Sequence, residues 1–392
     1  MRRLFYFFIF TLLSVQTFIG QDIIQIDPVR TSKTTLALSD MIESLEYIPL
    51  ETNDKCLIGD ILPYKIFFST NYILIYSNEF YLFNRKGKFI AQVGRIGQGP
   101  GEYYGSPWPL SIDEENQRII ISNSIGSRTG TECKLMFYDL KGKYIRSVTV
   151  DNRLGAIFHA QSDDKYVMMN LNHLTKEGIP PFDYSIFSND FKLITERINH
   201  VDYIIQPTSR GFEVRGDKFS YYLYNGKLHV RGPLNDTVYS ISQNLSFVPK
   251  YVLNAGMYVV TKQMFSDATL FDRLIQDRVF LTTIFETDNH VLVSYRYHNK
   301  ENYLLYDKKR PGSVLFNSDS GIPNDYDGGM DFWPKYQNGK EFITWYNAYL
   351  FDDNKNRLKP KGSQIAIDKY NKMRKAIDSE SNPVLVIVKM KQ

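Results

Sequence analysis

Short apolar runs alternate with polar turns along most of this chain. Residues 72–93 contain three such runs, separated by the Asn78-Glu79 pair and by the turn NRKGK. Runs of four to six residues that are rich in Ile, Phe and Tyr and end at Asn or Gly are typical of antiparallel strands. The pattern predicts strands at residues 73–76, 80–83 and 89–93, with Gly87 supplying a positive φ in the second turn.

The pattern repeats. The segment FNRKGKFI at 83–90 recurs 55 residues later as YDLKGKYI at 138–145, and weaker copies open near residues 165, 221, 278 and 340. A unit of this length fits one four-stranded propeller blade with an inserted loop. The sequence therefore predicts an all-β chain that folds as a six-bladed β-propeller.

A ring of six blades leaves unpaired strand edges unless its first and last segments share a blade. The early run SLEYIPLE (44–51) and the late run VLVIVKMK (384–391) are both strand-like, so we expect them to pair and close the last blade. Helices are predicted at 267–277 and at 362–378. The residues expected on the inner face of the second helix are Ile365, Tyr370, Met373 and Ile377.

The first 20 residues have the composition of a signal peptide. Arg2 and Arg3 precede an apolar run at 4–13, and Gly20 offers a small residue for cleavage before Gln21. The run is shorter than the roughly 20 apolar residues of a membrane-spanning helix, which favours a removed signal peptide over the alternative of an uncleaved anchor. We expect residues 21–392 to form the exported propeller domain, periplasmic or at the cell surface, with no transmembrane segment after signal removal.

Composition narrows the class of protein further. A net charge of +4 spread over 392 residues lacks the concentrated basic face that nucleic-acid binding needs, and 15% aromatic residues favour strands. Cys56 and Cys133 are the two cysteines, too few for a thiolate zinc site. An exported chain permits a disulfide between them, but we expect two separate buried thiols because they lie in different repeats.

The segment VGRIGQGPGEYYGSP (93–107) has enough glycine to suggest a phosphate-binding loop. Such a loop needs converging N–H groups at the start of a helix, whereas Pro100 removes one N–H and Pro107 and Pro109 disfavour a helix. The Walker and Rossmann spacings are also missing. We therefore expect these glycines to allow tight turns between one blade and the next.

Two family resemblances follow from this region and its flanks. Gly101-Glu102-Tyr103, Pro107 and Asp113 match the pattern of an NHL repeat. The segments LSDMIESLEYIPLETNDKCLIGDI, GRIGQGPGEY and ESNPVLVIVKMK resemble the six-bladed β-propeller family of exported Bacteroidetes proteins. The resemblance spans nearly the whole mature chain and implies the fold, but it implies no activity.

A metal site is the main enzymatic alternative. NHL-type amidating lyases, whose fold this chain resembles, place histidines from several blades around a central metal. His159, His229 and His290 fall in the third, fourth and fifth repeats, and three inward imidazoles are suitable ligands for Zn²⁺. The other interpretation is that they are scattered strand and turn residues.

Two further groups are candidate binding sites. The acidic loop at 318–333 offers oxygen ligands for Ca²⁺, although it lacks the order of an EF-hand and is more typical of a solvated loop. Its carboxylates are Asp319, Asp325, Asp327 and Asp331. The three tryptophans are candidates for the mouth of a sugar or peptide site, although aromatic residues in strands more often belong to a core. They are Trp108, Trp333 and Trp345.

The sequence is most consistent with an exported propeller that binds or scaffolds an unidentified protein, peptide or glycan, without an assigned catalytic activity. Loops from every blade surround the channel of a propeller, so one ligand meets several blades at once. The alternative is a metal-dependent lyase or lactonase-type hydrolase that uses zinc or calcium.

Overall fold

The computed structural model describes most of the chain between Asp22 and Lys391. The described ranges are 22–30, 36–61, 65–104, 108–125, 132–151, 156–161, 165–170, 182–198, 220–232, 235–261, 264, 275–310, 312–351 and 359–391. The predicted signal peptide at 1–20 lies outside them. So does most of the helix predicted at 267–277, where the described part is a 3₁₀ turn at Ile275–Asp277.

The described residues form 27 strands and two α-helices. The first twelve strands are β1 (Asp22–Gln25), β2 (Ile42–Pro49), β3 (Ile66–Phe68), β4 (Tyr72–Ser77), β5 (Glu79–Asn84), β6 (Phe89–Val93), β7 (Arg95–Ile96), β8 (Glu102–Tyr103), β9 (Trp108–Asp113), β10 (Arg118–Ile125), β11 (Glu132–Asp139) and β12 (Tyr144–Asp151). The next eight are β13 (Ala156–Gln161), β14 (Lys165–Asn170), β15 (Phe182–Phe187), β16 (Leu193–Ile198), β17 (Ser220–Tyr224), β18 (Lys227–Arg231), β19 (Thr237–Ile241) and β20 (Phe247–Asn254). The last are β21 (Phe280–Glu286), β22 (His290–Tyr297), β23 (Lys300–Asp307), β24 (Ser313–Ser318), β25 (Tyr336–Asn338), β26 (Glu341–Tyr346) and β27 (Val384–Met390), and the helices are α1 (Leu38–Met41) and α2 (Gln364–Ala376).

Six antiparallel sheets form the blades of a β-propeller, as the sequence predicted. Blades 1 to 5 are β3–β6, β9–β12, β13–β16, β17–β20 and β21–β24, and blade 6 is β25–β26–β27–β2. The first strand of each blade lies innermost, because the first strands of different blades contact one another around the centre. Apolar side chains on both faces of the strands fill the space between neighbouring blades, so most of the core lies between sheets.

The predicted closure of the ring is confirmed. Strand β2 pairs antiparallel with β27, with Leu45 opposite Val388 and Tyr47 opposite Val386. A second use of the N-terminal segment was not predicted: β1 adds to the outer edge of blade 4, parallel to β20. The chain then passes blade 5, where the Asn317 amide donates to two backbone carbonyls just after β1.

The turns between third and fourth strands explain the repeat seen in the sequence. In blade 1 the Asn84 side chain accepts the amides of residues 86 and 88, and Gly87 takes φ 79°. In blade 2 Asp139 accepts the amides of residues 141 and 143, and Gly142 takes φ 80°. Both turns form the same hydrogen-bonded unit. The spacing that NRKGK and DLKGK share therefore has a geometric cause.

Helix α2 packs beside the closed blade. The Ser363 hydroxyl accepts the amide of Ala366 and caps its N-terminus. Tyr370 is buried, and its ring lies 5.1 Å from that of Tyr47 on β2. The expectation that Ile365 faces inward is wrong, because this side chain is 68% exposed in the first turn, before the helix meets blade 6.

Candidate functional site

The glycine-rich segment after blade 1 is a packed connection. Strand β7 pairs parallel with β8, and the Glu102 carboxylate accepts the amide of Gly99 and the Nε–H of Arg95, at 2.8 and 2.6 Å. A Cβ on Gly94 would lie 2.8–2.9 Å from the rings of two buried tyrosines. The backbone N–H of Gly99 is thus already used by Glu102, which agrees with the architectural interpretation of this loop.

One face of the propeller carries two turns from each of blades 1 to 5 and one turn from blade 6. Because the strands alternate in direction, the first-to-second strand turn of every blade and the third-to-fourth strand turn of blades 1 to 5 lie at the same end. We call this end the turn face. Side chains on it link successive blades: Asn71 to Glu114, Arg118 to Asn189, and Tyr224 to Asp288.

A central cavity of about 410 Å³ opens on the turn face, where the inner strands end. Blades 1, 2, 4 and 6 contribute to its wall. Phe67, Phe68 and Leu223 supply apolar surface. The polar lining comes from Ser69, Thr70, Asn71, Ser111, Glu114, Glu115 and Asn338.

Aromatic rings of the inner strands contribute to the wall of the cavity. Tyr336 on β25 lies 5.0 Å from Phe68 on β3 and 6.2 Å from Tyr221 on β17, measured between ring centroids. Burial raises the pKa of Tyr336 to about 12, so its hydroxyl stays protonated at neutral pH. Part of the cavity wall is therefore aromatic and neutral.

The cavity has an acidic side. Asn71 donates to both oxygens of Glu114, from its amide nitrogen at 2.8 Å and from its side chain at 2.7 Å. Burial alone would raise the pKa of Glu114, but hydrogen bonds from Ser69 and Asn71 lower it. Glu115 beside it is exposed, and no described residue pairs with its carboxylate. Two negative charges therefore line one wall.

A second polar cluster lies between blades 4 and 5. The Glu286 carboxylate, 1% exposed, accepts four hydrogen bonds. They come from Tyr222 at 3.0 Å, Lys250 at 2.6 Å, Tyr251 at 2.8 Å and Lys308 at 2.7 Å. These donors stand on two strands of blade 4 and on the turn after β23 of blade 5, so the cluster ties the two blades together.

The ionisation of this cluster follows from its burial and charges. Burial opposes ionisation of Glu286, but the two ammonium groups outweigh it and hold the pKa of Glu286 below its ordinary value. Burial lowers the pKa of Lys250, against the attraction of Glu286. Both ammonium nitrogens lie 4.9 Å from the centre of the Tyr224 ring. Sequence reasoning missed this site because its members are distant in sequence and form no local motif.

The three histidines occupy blades 3, 4 and 5 as the repeats indicated. His229 is 2% exposed and stacks on Tyr222 with ring centroids 4.8 Å apart, and burial lowers the pKa of His229 to about 3. His290 begins β22, while the side chain of His159 lies outside the described part. Within the described ranges, no three His, Cys, Asp or Glu side chains are grouped as metal ligands. Metal binding by these three histidines stays a prediction, which metal analysis of the purified protein tests.

Carboxylates of the acidic loop are engaged by protein donors. Asp325 accepts the amide and hydroxyl of Ser39, at 2.9 and 2.8 Å, and pairs with Lys361 at 3.2 Å. Asp327 accepts the hydroxyl of Tyr47 at 3.2 Å, and burial raises the pKa of Asp327. In this structure the loop fastens both terminal segments to blade 6.

The tryptophans occupy different surroundings. Trp345 is 3% exposed and donates its Nε1–H to the carbonyl of Ile61 at 2.9 Å. Trp333 is 7% exposed, with its ring 4.8 Å from that of Tyr303. Trp108 begins β9, and its side chain lies outside the described part. A mouth lined by these residues stays a prediction.

The cysteine prediction can be followed at one of its two positions. Cys56 is a buried free thiol, and burial raises its pKa. The side chain of Cys133 lies outside the described part. The described helices include none that is long and apolar enough to cross a membrane.

Comparison with solved structures shows the same fold in one protein that covers nearly the whole chain. A "Putative exported protein" from Bacteroides fragilis has a TM-score of 0.68 at 17% identity, covering 94% of this chain and 100% of its own. A protein of unknown function from Bacteroides caccae has a TM-score of 0.34 at 9% identity, covering 63% and 77%. The propeller domain of the trilobed protease from Pyrococcus furiosus has 0.31 at 12%, covering 70% and 73%.

The family can be assigned from the sequence. No curated protein matches this chain. The model of a family described as a domain of unknown function, DUF4934, matches residues 22–389, which is nearly all of the propeller. This chain belongs to the DUF4934 family.

Proposed function

We propose that this protein is an exported ligand-binding propeller and that its ligand enters the central cavity on the turn face. One observation carries the proposal: four blades contribute side chains to a single cavity of about 410 Å³. Known ligand pockets have volumes of about 300–1,000 Å³ and combine apolar walls with a few polar groups. The cavity has that composition, with Phe67 and Phe68 beside Asn71 and Asn338.

The lining also favours a class of ligand. Carboxylates and amides in the lining accept and donate hydrogen bonds, and the aromatic rings of the wall offer a flat apolar surface. Glu115 has an accessible carboxylate that no described residue occupies. We infer a ligand rich in hydroxyl or amine donors, such as a glycan end or a peptide segment.

Export and domain limits belong to the same proposal. Residues 1–20 act as the signal peptide, and residues 21–392 form the propeller in the periplasm or at the cell surface. The basic start and apolar run of the segment support this, as does the fold shared with the Bacteroides fragilis protein. The NHL-like pattern at Gly101 describes blade 2 in this proposal.

Binding measurements test the proposal. Purified protein is screened on a glycan array and against a short-peptide library, and hits are titrated by calorimetry and tryptophan fluorescence. Glu115→Gln and Asn338→Ala should each weaken the hit at least fivefold, because they remove cavity groups without touching the core. Glu380→Gln, an exposed change near α2, is the matched control. Hits that bind all three variants as tightly as the wild type would refute the cavity as the site.

A further inference from the structure

A cleft of about 550 Å³ opens at the border of blades 2 and 3. Arg118 at the start of β10, Arg146 on β12 and Lys165 at the start of β14 supply three cations to its wall. Asp190 is the one acidic residue of that wall. Unlike the central cavity, this cleft is rich in positive charge.

Neighbouring residues compensate two of the charges in the wall of the cleft, those of Arg118 and Asp190. Arg118 donates from Nε to Asp113 at 2.7 Å and from Nη2 to Asn189 at 2.6 Å. Asp190 pairs with Lys192 at 2.7 Å. The carboxylate in the cleft is therefore already neutralised, and Arg118 is held in a fixed orientation with its Nη1 donors unused by the described residues.

The other two cations of the wall, Arg146 and Lys165, have no acidic partner in the described part of the chain. The guanidinium carbon of Arg146 lies 4.2 Å from the centre of the Phe137 ring, and that of Arg118 lies 5.5 Å from the same ring. Phe137 is 1% exposed, so both guanidinium groups rest on a fixed platform. Lys165 is the third cation in the wall of the cleft. Like charges gathered this way repel each other unless an anion joins them.

We propose that this cleft binds an oxyanion group: a carboxylate, sulfate or phosphate. Guanidinium groups bind such groups through paired N–H donors, and Arg146 and the Nη1 of Arg118 offer those donors together with the ammonium of Lys165. The side chain of Ile194, 46% exposed, adds an apolar wall for the body of an organic anion. The site is distinct from the central cavity, because the two share no lining residue.

Calorimetry with defined anions tests this site. Inorganic sulfate, inorganic phosphate and glucuronate are titrated at constant ionic strength, with glucose as the neutral control. At least one anion should bind with one-to-one stoichiometry while glucose does not. Preference for glucuronate would indicate that the apolar wall contributes, and equal binding of the inorganic ions would indicate recognition of the anionic group alone.

Variants connect the binding to the named residues. Arg146→Gln should weaken the anion about tenfold, the typical effect of losing one charge-assisted contact, and Lys165→Gln should weaken it several-fold. Arg296→Gln is the matched control, because Arg296 is a strand arginine of blade 5 without an acidic partner in the described ranges. Circular dichroism checks that all variants fold. The proposal is overturned if no anion binds, or if Arg146→Gln binds as tightly as Arg296→Gln.

Discussion

The amide of Gly94 donates a hydrogen bond of 3.1 Å to the carbonyl of Gly142. Gly94 directly follows the outer strand of blade 1, and Gly142 lies in the last turn of blade 2. The equivalent bond one blade earlier joins the amide of Glu51 to the carbonyl of Gly87, at 2.8 Å. In both pairs the last turn of a blade rests on the end of the outer strand before it, which fixes the angle between blades.

Substitution of Gly142 by alanine should weaken the fold strongly. A Cβ there would lie 2.0 Å from the carbonyl oxygen of Gln92, at a φ of +80°. Strain and displacement of the neighbouring blade should together lower the free energy of unfolding by about 2–4 kcal/mol. Chemical denaturation measures the loss.

Gly226→Ala is the control for Gly142→Ala. Gly226 also has a positive φ, +69°, but no atom lies within 4 Å of the added Cβ. Gly226→Ala should lower the free energy of unfolding by about 1 kcal/mol, which is the cost of the backbone conformation alone. If both variants lost the same free energy of unfolding, the contact between blades would not depend on Gly142.

The sequence predicted the fold because strand patterning and the Gly-Lys turns are local. Copies of the turn in blades 3 and 4 were harder to recognise, since Phe191 and Leu245 occupy the glycine position with φ values of 62° and 66°. Serine replaces the Asn or Asp that accepts the amides. Strand β1 was missed because a parallel edge strand leaves no hairpin signal.

The sites were less predictable than the fold. Glu286, Lys250 and Lys308 lie on different strands and turns, and only the ring of blades brings them together. Histidine and tryptophan were chosen as candidates for their chemistry, whereas burial depends on which face of a strand they occupy. Trp345 shows this, since its indole is buried against Ile61, far away in sequence.

Replacement of Glu286 by glutamine should destabilise the protein. It would leave the ammonium groups of Lys250 and Lys308 without their carboxylate in a largely buried site. Breaking a buried ion pair by removing one partner costs about 3–5 kcal/mol. Thermal and chemical denaturation at pH 7 measure the change. Glu46→Gln, on an exposed position of β2, should change stability by no more than about 0.5 kcal/mol, and a similar value for Glu286→Gln would refute the role of the cluster.

The same carboxylate predicts a pH dependence. The pKa of Glu286 is lower in the folded protein than its ordinary value of 4.5. The contribution of ionised Glu286 to the free energy of unfolding is therefore complete above pH 4.5. It is lost as the pH falls through the pKa that Glu286 has in the folded protein. Unfolding free energies measured from pH 6 to pH 3 should fall less steeply for Glu286→Gln than for the wild type. Parallel curves would show that Glu286 is not a source of the acid sensitivity.

Removal of the two terminal strands should have unequal effects. Deletion of residues 384–392 takes away β27, which lies between β26 and β2, so blade 6 loses its continuous sheet and the ring cannot close. Deletion of residues 1–30 removes β1, which lies at an outer edge of blade 4. Size-exclusion chromatography and circular dichroism should show an unfolded or aggregated first variant and a folded, less stable second one. A folded first variant would contradict closure through β27.

His229 should remain uncharged well into the acid range. It is 2% exposed, and burial together with the nearby ammonium of Lys250 lowers its pKa to about 3. Protonation would place a charge in an apolar contact with Tyr222, which the fold opposes. In NMR spectra the ring signals of His229, assigned with His229→Phe, should stay constant from pH 8 to pH 5. The same histidine in urea-unfolded protein should titrate near its ordinary value of 6.5. Titration of His229 near that value in the folded protein would mean that its ring is open to solvent and available to ligands.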